Sequence, residues 1–141
     1  MPGTTNPLHH IVATTYTEIL GDSGKVAEAR AAFETVLALE TTLASPELGT
    51  TLASRGTFEL AQHKWADAIS YSERAITAFE ASGGAEDLSL WRPLASVATA
   101  KRELDPKAEV KPLLERAIAI GMKAQLAASD LQPLKDQLAK L

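Results

Sequence analysis

The run Gly21-Asp-Ser-Gly-Lys25 has the glycines and the lysine of a phosphate-cradling loop. Such a loop also needs a glycine at position 19 and a serine or threonine at position 26, where the chain has Ile19 and Val26, so nucleotide binding is not expected there. His9 and His10 are adjacent, and on a helix their side chains would point about 100° apart, a poor chelating pair; His63 stands alone at a predicted turn. The chain has no cysteine, which removes disulfides, thiolate metal sites and cysteine nucleophiles. With three histidines and no motif around any of them, no serine, histidine and acid set can be assembled. No catalytic residue, metal site or cofactor is therefore expected. Two other groups of residues stand out. Arg55 and Glu59 are four apart and share one helix face. They read either as an ion pair at a partly exposed edge of the core or as a polar contact for a ligand. Trp91, beside Arg92 at a predicted helix start, reads either as core or as binding surface, and Trp65 reads as core packing at a helix junction.

The elements that must position these groups are helical. From Trp65 to Phe79, apolar or small residues fall at Trp65, Ala68, Ile69, Ser72, Ala75, Ile76 and Phe79, the spacing of one buried face. Asp67, Ser70, Glu73, Arg74 and Glu80 form the opposite, wet face. A related stretch begins at Val26 with Ala29 and Phe33, and another at Val110 with Leu114 and Ala117. Positions 29, 68 and 110 are 39 and 42 residues apart, within the range of helical repeat arrays. Ala, Leu, Thr and Glu dominate and aromatics make up only 5%, a composition that favours an all-α chain.

At 141 residues a single domain is expected, large enough to bury a core without staples. Charged residues are 23% and hydrophobic ones 45%, as in ordered soluble proteins. The net charge of −4 argues against a nucleic-acid partner, which needs a concentrated positive field. The longest apolar runs are far short of a membrane span, and no basic stretch followed by an apolar run suggests a secretory signal, so the expected location is cytoplasmic.

In chain order, residues 1–6 read as a flexible lead, and Asn6-Pro7 opens a first helix to Leu20. A second helix is expected over about Lys25 to Ala44. Ser45-Pro46-Glu47 repeats the start signal for a third, ending near Gln62, and the fourth runs from Trp65 to the break at Ser82-Gly83-Gly84. Asp87 is expected to cap a fifth helix to Leu104, and Asp105-Pro106 to open a sixth to Gln125. Pro112 would then sit inside that helix and bend it. Ser129-Asp-Leu-Gln132 reads as a capping box for a last helix, with Leu131, Leu134, Leu138 and Leu141 on one side.

The pattern resembles the tetratricopeptide repeat family, whose second helix keeps an aromatic, a small residue three positions on and another seven further. Those positions are Trp65, Ala68 and Ala75 in the middle unit, Val26, Ala29 and Val36 in the first, and Lys107, Val110 and Ala117 in the third. Gly24 falls at the family's turn glycine and Gly56 at the small residue of the first helix. The resemblance covers roughly Pro7 to Gln125, and the steps look like the longer-helix variants found in bacterial signalling proteins. It implies a right-handed superhelical solenoid of three antiparallel helix pairs, units 7–44, 46–82 and 87–125, with a capping helix at 129–141. Arg55 and Glu59 depart from it, since the family keeps apolar residues on that stripe.

In such arrays the first helix of each pair lines a concave side where peptides lie. The resemblance thus implies a lining of Arg92, Ala95, Thr99 and Arg102 in the third unit and Ala53, Thr57 and Leu60 in the middle one. Two arginines in an otherwise acidic chain would favour a carboxylate or phosphate on an acidic partner through forked hydrogen bonds; the competing reading is a solvated charged face. The lysine and asparagine set by which some members clamp a C-terminal carboxylate is not recognisable, so chaperone-tail binding is not implied. The expected function is a non-catalytic protein–protein interaction module, an adaptor or scaffold. Homo-oligomerisation through an exposed repeat face or the 131–141 helix is the alternative.

Overall fold

The computed structural model describes residues 25–141. Those residues are all-α: α1 (Val26–Thr42), α2 (Leu48–Ala61), α3 (Trp65–Gly83), a 3-10 turn at Leu88–Leu90, α4 (Trp91–Leu104), α5 (Lys111–Lys123) and α6 (Ala128–Ala139). The expected first helix, the 1–6 lead, His9, His10 and the glycines of the 21–25 run lie outside the described residues.

Each helix packs on the next in sequence, and α2 also reaches α4. Small residues make this possible. Ala29, Ala68, Ala75 and Ala117 are all fully buried. At Gly56 the α2–α3 contact is closest: a Cβ there would lie 2.3 Å from Ser72 Oγ and 3.2 Å from the Ser72 backbone nitrogen. Ser72 Oγ is itself buried and unpartnered among the described residues. Gly56→Ala is therefore expected to destabilise by about 2 kcal/mol through overpacking. Adding Ser72→Ala should recover more than half of that, a coupling that a urea-denaturation cycle would read directly.

The larger core is built by the second half of the chain, where Leu90, Leu94, Val110, Leu114, Leu131 and Leu134 meet. A smaller one joins Leu37 of α1, Leu52 of α2 and Ala75 of α3, flanked by Tyr71 and Phe79. The wet face expected for α3 is exposed at Asp67, Ser70, Glu73, Arg74 and Glu80.

Several boundaries differ from the sequence expectation. The sixth helix does not start at Asp105-Pro106: Asp105 accepts the Lys107 N–H in a local turn, and α5 begins only at Lys111. Pro112 therefore sits in the first turn, where its missing N–H costs nothing and no bend is required. Lys107 and Val110 precede that helix, so the third copy of the pattern is not helical at its first two positions. Asp87 does cap, accepting the Ser89 N–H at 2.7 Å, but it caps the 3-10 turn that leads into α4. No capping box forms at Ser129; the N-cap of α6 is Ala127. Leu131 and Leu134 are buried and Leu138 packs on the same core, while Leu141 is exposed.

Three helices end alike. After α1, α2 and α5 the chain turns through Ala44, His63 and Gln125 at φ of 49°, 59° and 60°. In each, the next N–H reaches back five residues: Ser45 to Glu40, Lys64 to Glu59 and Leu126 to Gly121, all at 2.9–3.0 Å. This paired C-terminal motif favours glycine, because a Cβ is strained in the left-handed region. Ala44→Gly and Gln125→Gly are each expected to stabilise by about 0.5–1 kcal/mol, raising the melting temperature by about 2–4 °C. His63→Gly should gain less, since His63 stacks on Trp65 with ring centroids 5.1 Å apart.

Candidate functional site

Helix α2 is central because two of its faces have different work. One face, Leu52, Arg55, Gly56 and Glu59, is buried against α1 and α3. The other presents Thr50, Ala53, Ser54, Thr57, Phe58 and Ala61, spaced at three and four residues, to a groove of about 550 Å³. Phe33 of α1, Phe79 of α3 and Ser89, Trp91, Arg92 and Pro93 at the start of α4 complete the lining, with Gln62 at the α2 end. Phe33 and Phe58 meet at 5.5 Å between ring centroids, tilted by 50°. Gly49 makes room for the Phe79 ring: a Cβ there would stand 2.9 Å from Phe79 Cε1.

The groove is aromatic and carries charge of one sign. Two Trp, two Tyr and three Phe are the seven aromatic rings of the chain; of the six among the described residues, four, including every phenylalanine, line it. Among the described residues its lining contains no Asp or Glu and one cation, Arg92, exposed, with the guanidinium 5.4 Å from the Trp91 ring centre. Among the described residues Arg92, like Arg74 and Arg102, has no ion-pair partner, whereas Arg30, Arg55 and Arg116 each hold a carboxylate.

A charge network centred on buried Arg55 and Glu59 joins α1 to α2, with Arg30 and Glu34 on its more exposed side. Glu59 is 1% exposed and Arg55 5% exposed, so this is no partly open pair at the core edge. Arg55 Nε donates to Glu59 Oε2 at 3.0 Å, and Arg55 Nη1 to Glu34 Oε1 at 2.9 Å. Arg30 closes the set, donating from Nη2 to Glu59 Oε1 at 2.7 Å. The Arg55 guanidinium is also sandwiched near Tyr71, at 4.5 Å, and Phe33, at 5.6 Å. Burial pushes the Glu59 carboxyl up, but hydrogen bonds from Arg30 and Arg55, with their charges, outweigh it and hold it below its ordinary value. A second buried carboxylate, Glu40, accepts from Thr51 Oγ1 at 2.8 Å and ties α1 to the start of α2.

The seven residues singled out from the sequence thus fall in three places. Thr57, Trp91 and Arg92 line the groove. Arg55 and Glu59 are buried and pair with each other. Thr99 and Arg102 border a separate hollow of about 310 Å³ beside α6, where Arg102 Nη1 donates to the Ala108 carbonyl at 3.4 Å and Gln137 Nε2 to Thr99 Oγ1 at 3.5 Å. The two arginines expected to act together line different depressions, because positions 92 and 102 stand at opposite ends of the α4 segment between them. Ala95 packs on the larger core instead of lining a groove. Sequence reasoning missed Phe33, Phe58 and Phe79 as lining; the spacing of 50, 53, 54, 57, 58 and 61 on α2 was the available signal for Phe58.

No protein-family model matches the chain. No curated protein matches it either. Among the described residues no group of three or more His, Asp or Glu side chains is arranged to hold a metal, and no helix is long and apolar enough to cross a membrane.

Proposed function

We propose that this chain is a non-catalytic protein–protein interaction module that holds a segment of a partner, a peptide or one helix, in the groove between α2, α3 and the start of α4. The observation that supports this reading is the concentration of four of the six aromatic rings among the described residues around one open depression of about 550 Å³. Apolar anchors with a few placed polar groups suit a peptide or an amphipathic helix, and clusters of aromatics and arginine are where binding energy concentrates. On this reading the helices form a right-handed solenoid of antiparallel pairs of tetratricopeptide type closed by α6, and the chain acts as an adaptor by positioning its partner.

Thr57 is exposed, lines the groove and spends its hydroxyl on the Ala53 carbonyl one turn back, so it can be enlarged without touching the core. Thr57→Trp is expected to keep wild-type helicity and melting while weakening peptides selected from a random 12-residue display library by at least about tenfold. Selected peptides that bind Thr57→Trp as tightly as wild type would place the interaction elsewhere and overturn the reading.

A further inference from the structure

Resting on that reading, we infer that the groove's occupant is an acidic segment with an aromatic anchor: a tryptophan, tyrosine or phenylalanine side chain seated among Phe33, Phe58, Phe79 and Trp91, and a side-chain carboxylate within two or three residues of it, meeting Arg92. The argument for the anchor is the lining itself. Rings prefer tilted or offset partners at 4.5–7 Å, and the Phe33–Phe58 pair already has that geometry; Phe33 is buried at the base, while Phe58, Phe79 and Trp91 are only partly covered. A further ring entering between them and Trp91 gains contacts that an aliphatic chain of equal area does not. Thr50, Ser54, Thr57 and Ser89 leave the mouth open between the rings, since none of them is large enough to fill it.

The carboxylate follows from charge. The whole chain carries −4, yet among the described residues the groove lining holds no acid and one arginine. Arg30, Arg55 and Arg116 have their carboxylates within the fold; Arg74, Arg92 and Arg102 have none among the described residues, and of these three Arg92 is the one on the groove. Its guanidinium lies near the Trp91 ring, which restrains it without using its hydrogen-bond fork. The same rim is the N-terminal end of α4, whose macrodipole adds positive potential. An anion arriving beside an anchored ring meets a guanidinium with no acid partner among the described residues, and a lysine or arginine on the partner would be repelled.

The test uses the same displayed 12-residue library on the full chain. Enriched peptides are expected to pair an aromatic residue with Asp or Glu two or three positions away. The most enriched one is then synthesised with acetylated and amidated ends, so that its side chains hold its only carboxylates, and measured by fluorescence anisotropy. Replacing its acidic residue by the amide should weaken binding about three- to tenfold at 0.1 M salt, because Arg92 is solvent-exposed. Against Arg92→Gln the acid and amide peptides should bind alike. Replacing the aromatic residue by leucine should also cost about three- to tenfold. If peptides are blocked by Thr57→Trp but show no preference for acid or ring, the groove stands and this inference falls. If binding is indifferent to Thr57→Trp, the groove reading falls and takes the inference with it.

Discussion

Arginine at position 75 is expected to leave the chain without a cooperative melt. Ala75 is fully buried where α3 meets Leu37 of α1 and Leu52 of α2. A guanidinium there would be set among the apolar side chains of that cluster. Charge burial and overpacking act together, at about 4 kcal/mol or more. Domains of this size are stable by only about 5–15 kcal/mol, so most or all of the margin is removed. Ser70→Arg, on the exposed face of the same helix, should shift stability by no more than about 0.5 kcal/mol. Far-ultraviolet circular dichroism with thermal melts separates the two. An Ala75→Arg protein that melts like wild type would mean that this face of α3 is not a helix contact.

The second large effect is expected at Glu59. Removing its carboxylate in Glu59→Ala leaves Arg55, 5% exposed, with the outer Glu34 as its remaining acid, and the expected cost is about 3 kcal/mol in urea denaturation. The same carboxylate gives stability an acid dependence. Folding lowers its pKa from the ordinary 4.5, so its contribution is complete above that value and is lost as pH falls through the lower folded value. Wild type should therefore lose more stability than Glu59→Gln when titrated downward from about pH 4.5. Parallel losses in the two proteins would show that other carboxylates carry the acid sensitivity.

What could be read from the sequence was whatever depends on neighbours along one helix. The buried stripe of α3, the small residues at 29, 68, 75 and 117 and the break after Gly83 follow from periodicity and side-chain size alone. The Arg55–Glu59 pair was visible too, being four apart, but its depth was not. Arg30 lies 29 residues from Glu59, and Glu34 lies 21 from Arg55, and no local pattern couples such positions. The groove was harder still, because its rings come from α1, α2, α3 and α4 and converge only after packing. The late start of α5 was missed for a local reason. Asp105 satisfies its turn with the Lys107 N–H, and Pro112 then offers a better first turn than Pro106. Nor do Ala44, His63 and Gln125 announce themselves by type as left-handed residues; the backbone bonds around them impose that conformation.

The two faces of α2 have a bearing on how such a chain can diverge. Leu52, Gly56 and Glu59 hold the fold, while Thr50, Ser54 and Thr57, one or two positions away, shape the groove without entering the core. Substitutions at the second set meet little thermodynamic resistance, whereas those at the first are purged by unfolding. Lineages descending from one ancestor can therefore drift at the groove face and exchange what it accepts, with the scaffold beneath inherited intact.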